Sequence, residues 1–267
     1  MVTSQKTIFI DIDETLLNND KILTNRTKDA IAGAIERGHK IILISGAAFP
    51  CHAPRFKDTK IEYIAGSNGG AIYRMKHGKL TEIIQESAMQ HHLIIGLCQL
   101  TQGLWERIEI HTKETLYRPS TIEELRDCIQ GKIITEFTPN GRDFDKMKLF
   151  GEVSKPFIKE NNLYIANYAK PLQEIKFLNT GENKCLYYDI VNAGVSKANA
   201  IQKFCQLLKI DPDNTIAIGD GFNDIEMLKV AKTRVAMGNA VQALKDIADI
   251  IIDTNNNDGV AKFLDTL

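Results

Sequence analysis

With 267 residues, the chain holds one large domain or two smaller ones. Its 43% hydrophobic and 25% charged residues can build a sizeable core and exclude wholesale disorder. Lys and Arg total 33 against 34 Asp and Glu, a formal net charge of −1, so no basic excess draws the chain to nucleic acid or to an anionic membrane.

The first predicted element is a short β-rich run, Thr7-Ile8-Phe9-Ile10, which stops at an acidic cluster. A helix is predicted over residues 27–38, with Ile31, Ala34 and Ile35 on one face and Gly38 at its C-cap. Residues 40–44 and 61–65 read as apolar strands, the former ended by Ser45-Gly46. From about 80 to 184 the pattern changes to helices at 82–100 and 121–130 and strands at 105–111, 146–150, 163–168 and 174–178, with Pro119, Pro139, Pro156 and Pro171 among them. The first pattern then returns. A helix at 196–208 carries Ile201, Phe204, Leu207 and Leu208, and a strand at 215–218 runs into Gly219-Asp220-Gly221. After it come a helix with Ile225, Leu228 and Ala231, a strand at 234–237, a helix at 240–248, a strand at 250–252 and a closing helix at 259–267. Strands that are apolar on both faces and separated by helices indicate a parallel sheet. The expected fold is α/β, a Rossmann-like parallel-sheet core built from 1–80 and 185–267, interrupted by an α+β insertion over 81–184.

No apolar run approaches the ~20 residues of a membrane span. The opening Met-Val-Thr-Ser-Gln-Lys lacks the apolar stretch of about 7 residues that a secretory signal needs, so a cytoplasmic protein without membrane contact is expected. Five cysteines lie scattered at 51, 98, 128, 185 and 205. An odd number without a CxxC pair argues against a disulfide framework and a zinc site, and they are expected to be mostly buried small hydrophobes in a reducing compartment. There the Asn25-Arg26-Thr27 sequon has no consequence.

Four segments carry residues fit for chemistry. Asp11-Ile12-Asp13 directly follows the first strand, and residues two apart in extended chain point the same way. Two carboxylates would then face one spot at the carboxyl edge of a parallel sheet, where α/β proteins bind ligands. Ser45-Gly46 offers a hydroxyl and backbone N–H groups at the end of the next strand. Lys197 lies in the first turn of a helix, where the dipole already favours anions. Gly219-Asp220-Gly221-Phe222-Asn223-Asp224 supplies a tight backbone, two acids and an amide suited to a hard cation and an anion.

In their order and spacing these segments resemble the haloacid dehalogenase superfamily of phosphotransferases, and within it the Cof-type phosphatases with a large α+β cap of class IIB. The first family motif is matched by Asp11-Ile12-Asp13-Glu14-Thr15-Leu16-Leu17, the second by Ser45-Gly46, the third by Gly194-Val195-Ser196-Lys197 and the fourth by residues 219–224. Ser67-Asn68-Gly69-Gly70, Val235-Ala236-Met237-Gly238-Asn239-Ala240 and Asn257-Asp258-Gly259-Val260-Ala261 add subfamily character. Glu14 departs from a common Gly, and Ala47 replaces the Arg that commonly follows the second motif.

The resemblance implies a Mg²⁺-dependent phosphatase acting on a small phosphorylated metabolite. In that reading Asp11 attacks phosphorus and forms an aspartyl-phosphate, and Asp13 protonates the leaving oxygen and then activates water. Mg²⁺ is held by Asp11, the backbone carbonyl of Asp13 and Asp220, with Asp224 in support. Ser45, Gly46, Lys197 and Asn223 bind the phosphoryl oxygens, and residues 81–184 form the cap. A phosphotransferase or phosphomutase of the same superfamily, or a phosphometabolite-binding regulator without turnover, are the alternatives. Other eye-catching residues take structural readings. His91-His92 lack spaced partners for a metal, Trp105 and Tyr187-Tyr188 suit packing, and residues 155–162 form a solvated face. Asp253, Asn255 and Asn257 mimic a Ca²⁺ loop but place Asp258 in the Gly slot.

Overall fold

Five consecutive buried residues make β1 (Thr7–Asp11), as a strand covered on both faces requires. In the computed structural model, which describes residues 5–166 and 186–267, β1 lies within an eight-stranded sheet. The first stretch of chain supplies α1 (Asn25–Glu36), β2 (Lys40–Ile44), α2 (Phe49–His52), β3 (Tyr63–Gly66), β4 (Ala71–Lys76) and β5 (Lys79–Glu86). The last stretch supplies α6 (Lys197–Leu208), β12 (Thr215–Gly219), α7 (Ile225–Val230), β13 (Thr233–Ala236), α8 (Gln242–Lys245), β14 (Ile250–Ile251) and α9 (Gly259–Leu264). The strand order is β14-β13-β12-β1-β2-β3-β4-β5, parallel from β14 to β3, with β4 antiparallel to β3. Ile8, Phe9, Ile10, Ile42, Leu43, Ile64, Ala217 and Ile218 are fully buried at the centre of its core. Gly38 ends α1 with φ +92°, the left-handed conformation that glycine adopts without strain.

Between these stretches lie α3 (His91–Leu100), β6 (Arg107–His111), β7 (Leu116–Tyr117), α4 (Ile122–Ile129), β8 (Glu136–Gly141), α5 (Phe144–Glu160), β9 (Leu163–Ile165), β10 (Leu186–Tyr187) and β11 (Ile190–Asn192). They form a second sheet, β7-β6-β8-β11-β9 with β10 also on β8, whose assigned pairings are antiparallel. It has its own core around Leu97, Ile108, Ile110, Phe137 and Phe150. The chain thus comprises two compact units, Met1–Gln85 with Ser196–Leu267, and Glu86–Val195.

The structure corrects several sequence expectations. Residues 82–100 are not one helix: Thr81, Ile83 and Ile84 continue β5, which follows β4 through His77-Gly78, both at positive φ as a tight hairpin turn demands. Helix begins only at His91, whose Nε2 lies 2.8 Å from the Lys132 carbonyl. Residues 146–150 are not a strand but part of α5. The Asp143 carboxylate accepts from the Lys146 N–H, and Met147, Phe150, Ser154 and Ile158 recur every three to four residues on its buried face. The helix expected at 240–248 is confined to Gln242–Lys245. Of the described cysteines only Cys98 is buried, while Cys51, Cys128 and Cys205 are half-buried. Cys185, Pro171 and the strand expected at 174–178 lie outside the described residues. Trp105 and Tyr188 do pack inside the second core, Tyr188 stacked on Phe150. Among the described residues no helix is long and apolar enough to cross a membrane.

Candidate active site

From β1 the chain builds β2 and β3 to one side, and it later returns to place β12 on the other. The carboxyl ends of β1 and β12 therefore flank the switch in strand order, where a crevice for ligand opens in such sheets. Asp11 is the last residue of β1 and stands in register with Ile44, one residue before Ser45. Ile10 pairs with Ile218, so Gly219 and Asp220 emerge at the same edge. After Asp11 the chain turns through one wide helical turn, Ile12–Leu16, with Glu14 at φ +61°. That turn lets the Thr15 hydroxyl donate to Asp220 Oδ1 at 2.6 Å.

Lys197 enters from the first position of α6, whose N-cap Ser196 accepts from the Asn199 N–H at 3.1 Å. Its ammonium is buried and donates to Asp11 Oδ1 at 2.5 Å and to Asp224 Oδ1 at 2.6 Å. The other oxygen of Asp224 accepts from the backbone N–H groups of Asp220 and Gly221, each at 2.9 Å. One oxygen each from Asp11, Asp220 and Asp224 lies within 4.8 Å of the others.

Burial and the nearby Asp224 charge push Asp11 up to about 7, even against the pull of Lys197. Burial, then the charges of Asp11 and Asp224, likewise push Asp220 well above the usual carboxylate range. Burial alone would lower the Lys197 pKa, but Asp11 and Asp224 outweigh it and hold the ammonium charged. Three carboxyl groups gathered round one ammonium resist full ionisation together, and an all-oxygen donor set of this kind fits a hard divalent cation, whose charge would favour the ionised forms.

A second group of side chains adjoins the first. The Ser45 hydroxyl accepts from the Ala47 N–H at 2.9 Å, and His52 Nε2 lies 3.1 Å from the same oxygen. His52 Nε2 also lies 3.0 Å from Asp13 Oδ2, and Lys21 Nζ is 3.2 Å from Asp13 Oδ1. Burial would raise Asp13, but the hydrogen bond and charge of His52, together with Lys21, hold it below the usual carboxylate range. Gly46 faces the amides of Asn68 and Asn223, which bond to each other at 3.2 Å. The structure thus joins Asp11, Lys197, Asp220 and Asp224 in one cluster. It joins Asp13 to Ser45 through His52, and Asn223 to Asn68 beside Gly46.

Gly219, the last residue of β12 and the first of the fourth motif, leaves room for the Asp224 side chain. A Cβ there would lie 2.6 Å from the Cβ, Cγ and Oδ2 of Asp224. Gly219→Ala is expected to displace that carboxylate from the Asp220 and Gly221 amides and to destabilise the fold by about 1–3 kcal/mol. Thermal denaturation checks this, and an unchanged melting temperature would show that Asp224 can move without cost.

Sequence reasoning passed over His52, Lys21 and the pairing role of Asn68. Only Asn68 left a signal, inside Ser67-Asn68-Gly69-Gly70, where the backbone takes positive φ at Ser67, Asn68 and Gly69.

Comparison with known proteins identifies the family. The family model of haloacid dehalogenase-like hydrolases matches residues 8–264. The 5-amino-6-(5-phospho-D-ribitylamino)uracil phosphatase YcsE of Bacillus subtilis is 28% identical over 260 residues, covering 96% of this chain and 93% of the relative. The pyridoxal phosphate phosphatase YbhA of Escherichia coli is 26% identical over 271 residues, covering 97% of each. A haloacid dehalogenase-like hydrolase from Bacteroides thetaiotaomicron superposes with a TM-score of 0.77 at 21% identity, over 98% of this chain and 99% of that one. The subclass IIB sugar phosphatase BT4131 gives 0.71 at 21% identity over 98% of both chains. This chain belongs to the haloacid dehalogenase-like hydrolases.

Proposed function

We propose that the protein hydrolyses a small phosphomonoester, a sugar phosphate or related metabolite, through a covalent intermediate on Asp11. The observation that carries this reading is the cluster of buried Asp11, Lys197 and Asp224 with half-buried Asp220 at the switch point, with Asp13 two residues after Asp11. A Mg²⁺ ion would be held by the carboxylates of Asp11 and Asp220 and the Asp13 carbonyl, with Asp224 in support. When bound it would neutralise phosphoryl charge and permit the approach of two anions.

The chain's own residues divide the work. The Asp11 carboxylate attacks phosphorus, the bond from phosphorus to the leaving oxygen breaks, and Asp13 gives that oxygen its proton. Water then attacks the aspartyl-phosphate, Asp13 takes a proton from it, and inorganic phosphate leaves with Asp11 restored. Asp13 is held ionised in the free protein, the form that the second step uses. An incoming phosphoryl dianion raises its affinity for the proton that the first step needs. Lys197, Ser45, the Gly46 amide and Asn223 supply donors to the phosphoryl oxygens. The segment at 81–184, which the resemblance identifies as a cap, is proposed to select the leaving group.

Phosphate release from a panel of phosphorylated metabolites tests this reading. It is expected to cease in EDTA, to return with Mg²⁺ and to recover poorly with Ca²⁺, whose longer bonds and larger ligand number disturb in-line geometry. Full activity in exhaustive chelator would remove the metal from the proposal, and release that needs an added acceptor would make the protein a phosphotransferase.

A further inference from the structure

The imidazole of His52 is 3% exposed, and both of its described polar contacts fall on one nitrogen. Nε2 lies 3.1 Å from Ser45 Oγ and 3.0 Å from Asp13 Oδ2, while Nδ1 is buried without a hydrogen-bond partner among the described residues. An ionised carboxylate only accepts, so Nε2 carries a proton, between Asp13 and Ser45, in the neutral ring and in the imidazolium alike.

That assignment dictates the polarity of Ser45. Its oxygen already accepts from the Ala47 N–H at 2.9 Å and now faces the Nε2 proton as well. Both of these partners are N–H donors and neither can take the hydroxyl proton, which therefore turns to a separate acceptor, in the proposed reaction a phosphoryl oxygen. The same contacts exclude a serine nucleophile. In a Ser-His-Asp relay the acid holds one ring nitrogen and the serine the other, whereas here both converge on Nε2.

The helix that delivers His52 is short and locally fixed. Pro50 sits in its first turn, Phe49 packs edge-on against Tyr73 at 5.2 Å, and Arg55 holds the Cys51 carbonyl. One ring from α2 therefore fixes a residue at the end of β2 and another in the turn after β1.

Resting on the phosphatase reading, we propose that His52 is a positioning residue. It orients the Asp13 carboxylate toward the leaving oxygen and makes the Ser45 hydroxyl a dedicated donor to the phosphoryl group.

The test compares His52→Leu and His52→Gln with the wild-type full-length protein on p-nitrophenyl phosphate and on an alkyl phosphate. The alkyl ester has a poor leaving group and depends on protonation by Asp13; the nitrophenyl ester hardly does. His52→Leu is expected to lose at least about tenfold more kcat/KM on the alkyl ester than on the nitrophenyl ester, a fraction of what a full general acid contributes. His52→Gln, whose terminal amide can place an N–H near the position of Nε2, is expected to recover most of that difference. A merely structural role would lower both esters alike and would not be rescued by Gln. Losses on the two esters within threefold of each other, or a Gln variant no better than Leu, would overturn the proposal. If His52→Leu does not fold, His52→Asn decides by the same comparison, because its shorter amide cannot reach both oxygens. A wild-type protein that releases phosphate from neither ester instead overturns the phosphatase reading, and this inference with it.

Discussion

Asp11→Asn is expected to lower phosphate release by at least about 10³, the scale of loss when a covalent nucleophile is removed. The amide keeps the shape of the side chain at the end of β1 but offers no anionic oxygen to attack phosphorus. The loss will not come from unfolding. The native carboxyl titrates near 7 against an ordinary value of 3.8, so between those limits the native state binds the proton more tightly than the unfolded chain. Asp11 therefore costs stability as pH rises through that window, and a neutral amide removes the cost. In chelator the variant is expected to melt no lower than the parent at pH 7, although Lys197 loses one of its two charged partners. Rapid quench with a ³²P-labelled ester adds a direct reading, since acid-stable label should appear on the parent and be absent from Asp11→Asn. A variant that kept near-normal phosphate release would sink the covalent route.

Much of the first unit was legible because parallel strands buried on both faces leave plain apolar runs. Lys40–Ile44 falls where its sequence pattern puts it, and so does the catalytic-edge strand Thr7–Asp11 to within a residue. The second unit was less legible for a physical reason. Its strand β8 is Glu-Phe-Thr-Pro-Asn-Gly, a string that reads as a turn, yet all six residues are buried. Antiparallel neighbours on both sides hold it extended, and Pro139 is carried within the sheet opposite Ile108. Local preference there yields to tertiary packing. Residues 144–160 misled in the opposite way, since their helical period shows only once the Asp143 cap is counted.

The site divides along the same line. Asp11, Ser45, Lys197, Asp220 and Asp224 each sit just at or past a strand end or at a helix start, positions that sequence marks. Nothing marked His52, a single histidine on a four-residue helix, because only the folding of α2 against β2 and the turn after β1 brings it to Asp13. Asn239, named from the resemblance, and Asn255, from the stretch that mimics a Ca²⁺ loop, acquire a physical purpose. Asn239 donates to the Glu14 carbonyl at 2.8 Å, and Asn255 donates to the Leu17 carbonyl at 3.1 Å. The Asn255 N–H in turn donates to Asn239 Oδ1 at 3.0 Å, so the two asparagines brace the turn that holds Glu14 at positive φ.

Lys197→Ala is expected to fail on two counts. Removing the ammonium leaves Asp11 and Asp224 buried without the cation that both of them touch. Breaking a buried pair from one side costs about 3–5 kcal/mol, so the metal-free variant should melt well below the parent. Added Mg²⁺ should restore part of that stability if the three carboxylates take the ion. Activity is expected not to follow. With Ala47 in the second motif, Lys197 is the basic side chain that the four motifs offer to the phosphoryl group, and losing a preorganised electrostatic group costs on the order of 10²–10³ in rate. Lys197→Arg should not fully rescue, because a planar guanidinium cannot enter a space where an ammonium already meets two carboxylates at 2.5 and 2.6 Å. The exposed Lys203, two turns along the same helix, serves as the control and should matter little. Phosphate release at saturating Mg²⁺, read beside thermal melts with and without the metal, separates the two effects. If Lys197→Ala lost less than threefold in rate while folded, the phosphoryl charge would have to be met elsewhere, and the role proposed for the third motif would fall.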